Sequence, residues 1–246
     1  MKTPNLGPHS TSRQCLAEST ATTADAHWQS LFNIGGAAAL VTAVVIPVQA
    51  IVVVAWPPPS SVIGYLTLFQ SNKILGLLDL DLLYILDYAL LIPIFLALYV
   101  ALRRASESLM AIGTTLGLVG IAAYFASNTA FNMLTLSDQY AVATTEAQRA
   151  ALLAAGEAML AMYSGTAFIV SNLVGSVAMI VISVVMLRSS IFGKAIAYLG
   201  ILGNVLGMGL FVPTIGIYLA LVSVVFLWIW YILVARGLFQ LGSGRL

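Results

Sequence analysis

Cysteine is almost absent from this 246-residue sequence, and so is charge: Cys15 stands alone, and Asp, Glu, Lys and Arg make up only 8% of the chain, against about 25% in an ordinary globular domain. A single cysteine excludes an intramolecular disulfide, a dithiol redox pair and a thiolate metal cage. Histidine is nearly as scarce. His9 and His27 are the only two and both fall in a polar leader, which excludes a multi-histidine zinc site. The formal net charge is +1 with no basic tract, so the electrostatic footprint required for nucleic acid is missing and nucleic acid is not an expected partner. No pattern completes a catalytic, metal or nucleotide motif. The sequence therefore names no catalytic residue, no metal ligand, no cofactor and no protein partner.

What fills the chain instead is apolar: 61% of residues are hydrophobic. Runs long enough to cross a hydrocarbon layer of about 30 Å occur at 31–55, 74–102, 110–131, 162–187, 195–212 and 215–235. The expected fold is all-α: a polytopic membrane protein, a bundle of six transmembrane helices with short external amphipathic helices. Residues 1–30, rich in Ser, Thr, Ala and Pro, read as a mobile cytoplasmic tail, 31–240 as the membrane domain and 241–246 as a short cytoplasmic tail. The first apolar run starts too far from the N-terminal charge, and is too long, for a cleavable signal. Only Pro213 and Thr214 separate the fifth and sixth runs, so those two helices should be antiparallel neighbours.

Basic residues orient the chain, because cytoplasmic loops hold an excess of Lys and Arg. With the N-terminus inside, Lys2, Arg13, Arg103, Arg104, Arg188, Lys194, Arg236 and Arg245 are cytoplasmic, and only Lys73 and Arg149 lie opposite. Both termini are then cytoplasmic. Trp28 and Trp56 bracket the first run, as interfacial aromatic anchors do. For Trp228, Trp230 and Tyr231, anchoring and packing stand as equal readings.

Two segments between spans carry helical periodicity. After Trp56 and three prolines, Val62, Tyr65, Leu66 and Phe69 share one face, as expected of a short helix on the outer membrane surface. Thr145 and Gln148 have capping-box spacing and start an amphipathic helix over 145–161. Whether it lies in the interface or runs into the fourth span, periodicity does not decide.

The chemistry-bearing residues lie inside the apolar runs. Asp79, Asp81 and Asp87 all fall in the second, where each acid near the bilayer centre costs about 3 kcal/mol against about 0.3–0.6 returned by each large aliphatic or Phe residue. Asp87 is nearest the middle, and Asp79 and Asp81 lie about 10 Å or more outward. Asp81, Tyr84, Asp87 and Tyr88 form one stripe at 100° per residue. Tyr124, Asn128 and Asn132 in the third run, and Ser171 and Asn172 in the fourth, sit at matching depth among small residues such as Gly117, Gly120 and Gly175. These nine polar residues are the candidate ligand-binding set. Two readings of Asp87 are open: an intramembrane acid with a function, which such acids usually have, or a hydrogen-bonded packing residue. Small residues at three- or four-residue spacing are more often packing surfaces than sites. Gln49, beside Pro47 in the first run, could join the set. Pro47 and Pro93 each free a carbonyl one turn earlier, with or without a kink.

The stretches WPPPSSVIGYLTLFQSN, ILGLLDLDLLYI, IPIFLALYVALRR, AQRAALLAAGEAMLAMYSGTAF and LWIWYILVARGLFQLG resemble a bacterial family of six-span membrane proteins, the domain of unknown function 4386. The resemblance spans nearly everything after Trp56 and implies a bacterial inner-membrane protein, with no agreed activity to carry over. Asp81 is the most distinctive polar position in the shared text.

Together these features lead us to expect a protein that binds or transports a small-molecule or lipid-like ligand in an outward-opening cavity between the second, third and fourth spans. Two alternatives stand beside it: an intramembrane enzyme using Asp87, and an accessory or sensor subunit of a membrane complex. The enzyme reading lacks the paired-acid signatures of aspartyl intramembrane proteases and of metal-dependent prenyl and phosphoalcohol transferases.

Overall fold

The structure is a computed structural model and describes residues 28–244. The expectations placed on residues 1–27, among them most of the tail with Cys15 and both histidines, and on Arg245 lie outside the described residues. All regular structure within them is helical: α1 (Gln29–Ala55), α2 (Val62–Ser71), α3 (Lys73–Asp79), α4 (Leu82–Leu102), α5 (Glu107–Ser127), α6 (Ala130–Val142), α7 (Glu146–Tyr163), α8 (Thr166–Arg188), α9 (Lys194–Met208) and α10 (Gly216–Gly242). A short 3-10 turn at Gly209–Phe211 follows α9. Six segments are long and apolar enough to cross a membrane. The chain is an all-α, multi-pass membrane protein.

α1, α4, α5, α8, α9 and α10 form a closed ring in that order, each packed on the next, and α10 closes it against α1. α9 and α10 pack on each other as expected, although the fifth run stops being α-helical at Met208 and the connection, with its 3-10 turn, spans 209–215 and not only Pro213 and Thr214. At Gly120 of α5 an added Cβ would lie 3.2 Å from the Gly175 nitrogen and from the Ser171 carbonyl oxygen of α8, so glycine there lets two backbones approach. Large side chains fill the ring toward its Arg104 end. Phe95, Leu98 and Leu102 of α4, Met110 of α5, Ile182 and Met186 of α8, and Trp230, Val234 and Leu238 of α10 are all buried in one cluster. Outward faces are apolar as well, with Val44, Val54, Ile217 and Leu221 strongly exposed, as lipid-facing surface must be when no water competes for it.

A second core caps the opposite, Trp56 end. Val62, Tyr65, Leu66 and Phe69 of α2 pack on Leu80, Ala130 and Met133, the face that helical spacing in the sequence singles out. Local capping explains where these short helices start. The Ser61 Oγ accepts from the Gly64 N–H at 3.2 Å and the Asn72 Oδ1 from the Leu75 N–H at 3.0 Å; α7 begins with the full Thr145–Gln148 capping box. An exposed Lys73–Asp138 ion pair at 2.7 Å ties the start of α3 to α6. Ser137 donates to the Leu66 carbonyl at 2.7 Å.

Two expected continuities are interrupted, and a third break answers the question that periodicity left open for 145–161. The second apolar run, 74–102, is not one helix: it stops at Leu80, and Asp81 takes the left-handed conformation (φ 67°, ψ 33°) before α4 restarts at Leu82. The third run, 110–131, breaks at Asn128 and Thr129 and continues as α6 to Val142. α7 is a separate helix, divided from α8 by Ser164 and Gly165. Averaged over a membrane-length window, hydropathy passes over these short polar places, and the interrupted backbone groups find other partners. Non-helical backbone at such depth is tolerated only where protein satisfies it, and Asn128 does this for two breaks at once. Its Nδ2 donates to the Leu80 carbonyl at 3.1 Å, while its Oδ1 accepts from the Ala130 N–H at 3.1 Å.

Candidate functional site

Between the two apolar cores lies a polar seam, and the breaks place most of it. Asp87 is one and a half turns into α4 and only 8% exposed. Its Oδ2 accepts from the Gln49 Nε2 of α1 at 2.7 Å, whereas its Oδ1 has no hydrogen-bond partner among the described residues. Thr42 lies two turns before Gln49 on the same face of α1, and its buried hydroxyl lies beside the Asp87 carboxyl without closing a hydrogen bond to it. From α10, Tyr231 comes within electrostatic reach of Asp87. The acid thus faces α1, and because the helix restarts at Leu82 it lies near the start of the crossing helix and not at its centre. Its hydrogen-bond partner is the residue that the sequence offers only as an addition to the set.

One residue on, the helix has turned by about 100°, and Tyr88 faces α5 instead of α1. Its ring stacks on Tyr124 of α5 with centroids 3.8 Å apart and planes 11° from parallel. The Ser171 Oγ of α8 lies 3.4 Å from the Tyr88 hydroxyl. Tyr124 is 1% exposed, and its hydroxyl is buried with no hydrogen-bond partner among the described residues. Tyr88, Tyr124 and Ser171 are therefore brought together where three spans meet.

Asp81 occupies the break itself. The Tyr163 hydroxyl, at the end of α7, donates to its Oδ2, so the α3–α4 break is tied to the α7–α8 break. Asp81 precedes the membrane-crossing helix. Burial pushes its carboxyl up to about 6, opposed by the hydrogen bond from Tyr163 and by the nearby Tyr124 hydroxyl. The same environment raises its neighbours: burial, with the charges of Asp79 and Asp81, pushes the Tyr65 phenol up to about 12, and burial raises Asp79.

The remaining expected site residues are placed differently. Tyr84, three residues from each of Asp81 and Asp87, is 42% exposed on the bundle surface. Asn128 is engaged by backbone on both ends of its amide, as above. Beyond the break, Asn132 is turned out to an exposed groove of about 440 Å³ between α6 and α7, beside Phe131, Gln139 and Met159. It does not face Asp87, because the interruption at Asn128 ends the helical phase that would have aligned them. Asn172 is partly exposed beside Ser171.

No protein-family model, curated protein or solved structure matches this chain.

Thr42 and Tyr163 belong to the seam and were not among the expected residues. Thr42 is legible in retrospect as the residue seven before Gln49, whereas nothing local marks Tyr163. Chemically the seam offers carboxylates, phenols, a primary amide and hydroxyls: hydrogen-bond capacity and negative charge, with no basic side chain in it. Among the described residues no group of three His, Cys, Asp or Glu side chains is arranged to hold a metal ion.

Proposed function

We propose that this chain is a bacterial inner-membrane protein, with both termini cytoplasmic, that binds or transports a small or lipid-like ligand at the polar seam, with Asp87 as its ionisable centre. The observation that carries the reading is the Asp87 carboxylate, buried at membrane depth with one oxygen held by Gln49 and the other left without a partner. An unmet acceptor in a low-dielectric site is costly, and intramembrane acids ordinarily mark ligand, ion or proton sites. The unmet hydroxyls of Thr42 and Tyr124 add acceptor and donor capacity on either side of α4. A ligand with a hydrogen-bond donor or a positive charge suits this lining, because no basic side chain competes for it. The bacterial inner-membrane assignment rests on the motif resemblance to the six-span family, and the orientation on the distribution of Lys and Arg.

The test is ligand-induced thermal stabilisation of the detergent-solubilised protein between pH 5 and 8, using lipid extracted with the protein and a series of alkylamines. Wild type should be stabilised, and Asp87→Asn should fold equally well yet lose that stabilisation, because an amide resembles a protonated acid but cannot balance a cation or release a proton. Equal stabilisation of both proteins at every pH would remove Asp87 from the function.

A further inference from the structure

At the Arg104 end of the bundle, on the outside of the ring, a groove of about 620 Å³ runs between α1 and α10. Its lining changes character with depth. Asn33, near the start of α1, and Gln240, near the end of α10, lie at its mouth, and Arg236 is one turn below Gln240. Leu40 is seven residues farther along α1 and Ile232 eight residues back along α10, or about 10–12 Å deeper at 1.5 Å per residue. Phe239 forms a wall between them against Gly36. The groove is thus polar and cationic at the membrane face and apolar below it.

Arg236 is exposed and makes no ion pair among the described residues. Around it the same end carries Arg103, Arg104, Arg188 and Lys194, with Glu107 as the one acid there among the described residues. A long basic side chain rising from the apolar zone toward the interface presents its guanidinium at headgroup level, where an unpaired fork suits a phosphodiester.

We propose that the α1–α10 groove is a binding site for an anionic phospholipid, its phosphate on Arg236 with Asn33 and Gln240 as polar flanks, and one acyl chain along Leu40, Ile232 and Phe239. The site is independent of Asp87 and faces the surrounding bilayer. It would place a lipid across the contact that closes the ring.

The full chain in mild detergent, titrated with dioleoyl phosphatidylglycerol or dioleoyl phosphatidylcholine and read by native mass spectrometry and thermal midpoint, tests this. Wild type should retain the anionic lipid about five-fold more tightly than the zwitterionic one, the size expected of one basic contact at the interface. Arg236→Gln should bring the two lipids level, while Arg188→Gln, which removes the same charge from the same end but outside the groove, should leave the preference intact. Leu40→Trp, at an exposed position, should weaken both lipids by filling the acyl slot, and inorganic phosphate should not stabilise wild type. Three results would overturn the proposal. Equal losses in Arg236→Gln and Arg188→Gln would indicate diffuse surface charge, stabilisation by phosphate alone an anion site, and uptake of lipid only after removal of residues 1–27 would make that segment the occupant.

Discussion

The indole N–H of Trp228 donates to the Ala43 carbonyl oxygen at 2.7 Å, and that carbonyl is the one Pro47 leaves without a helical donor. Proline lacks the amide that would close the bond four residues back, and in hydrocarbon a free carbonyl must find another partner. Trp228 on α10 supplies it across the helix pair that closes the ring. Of the two readings open for this tryptophan, packing is the one with a specific bond behind it. Trp228→Phe should therefore lower stability by about 1 kcal/mol, the typical net worth of one such bond. In a Pro47→Ala background, where the Ala43 carbonyl regains an amide donor, the same change should cost less. Thermal unfolding of the four proteins in one detergent measures the coupling, and strictly additive losses would disconnect the two residues.

Gln49 and Asp87 form a second coupled pair. Gln49→Leu strips the buried carboxylate of its remaining partner and should destabilise by about 1–3 kcal/mol. Asp87→Leu removes a charged group that hydrocarbon penalises by about 3 kcal/mol, so adding it to Gln49→Leu should recover most of the loss. A double variant as unstable as the sum of the singles would mean that the 2.7 Å bond contributes nothing to the fold.

Asp81 predicts a pH dependence. Its carboxyl moves from 3.8 to about 6 on burial, so the folded protein binds more protons than the unfolded chain between those values, and stability falls as pH rises through that window. Asp81→Asn carries no such titration, and its thermal midpoint should change less than that of wild type from pH 4 to 7. Asparagine also accepts the left-handed backbone at φ 67°. Alanine does so less readily, so Asp81→Ala should be about 1 kcal/mol less stable than Asp81→Asn at high pH. Parallel pH profiles for wild type and Asp81→Asn would dismiss the titration.

Two glycines of the small-residue stripes should behave oppositely. Gly120 meets the α8 backbone, which cannot rotate away as a side chain can, so Gly120→Val should reduce yield and thermal stability. Gly175 has nothing within 4 Å of an added Cβ. There Gly175→Ala should be neutral or stabilising by up to about 1 kcal/mol through helix propensity. The pair is read in one expression and melting comparison.

Topology is checked separately from any site. Reporter fusions at Gly242 and in the Arg103–Arg104 turn should register on the cytoplasmic side, and a fusion near Gln148 on the other. A cytoplasmic signal at Gln148 would invert the orientation drawn from the basic residues.

Properties encoded in one dimension were legible without coordinates. Six membrane-length runs became six crossing segments because length and hydropathy are additive along the chain. The Thr145–Gln148 capping box and the Val62–Phe69 face formed as their spacing dictates, since each depends on residues within two turns. Pro47 announced a freed carbonyl by its ring alone. The polar seam was half legible: Asp81, Asp87, Tyr88, Tyr124 and Ser171 stand out as polar residues inside apolar runs, but the direction each faces follows from neighbours distant in sequence. The Asn128 amide reaches a carbonyl 48 residues away, Gln49 reaches Asp87 across 38 residues, and Tyr163 reaches Asp81 across 82. The Asn128 and Tyr163 bonds allow a helix to stop inside an apolar run, and a membrane-length hydropathy average cannot register them because it does not see which distant groups a polar side chain or a freed backbone group will meet. Tertiary structure alone therefore decided where the helices are interrupted, turned Asn132 away from Asp87, and set Asp87 against α1.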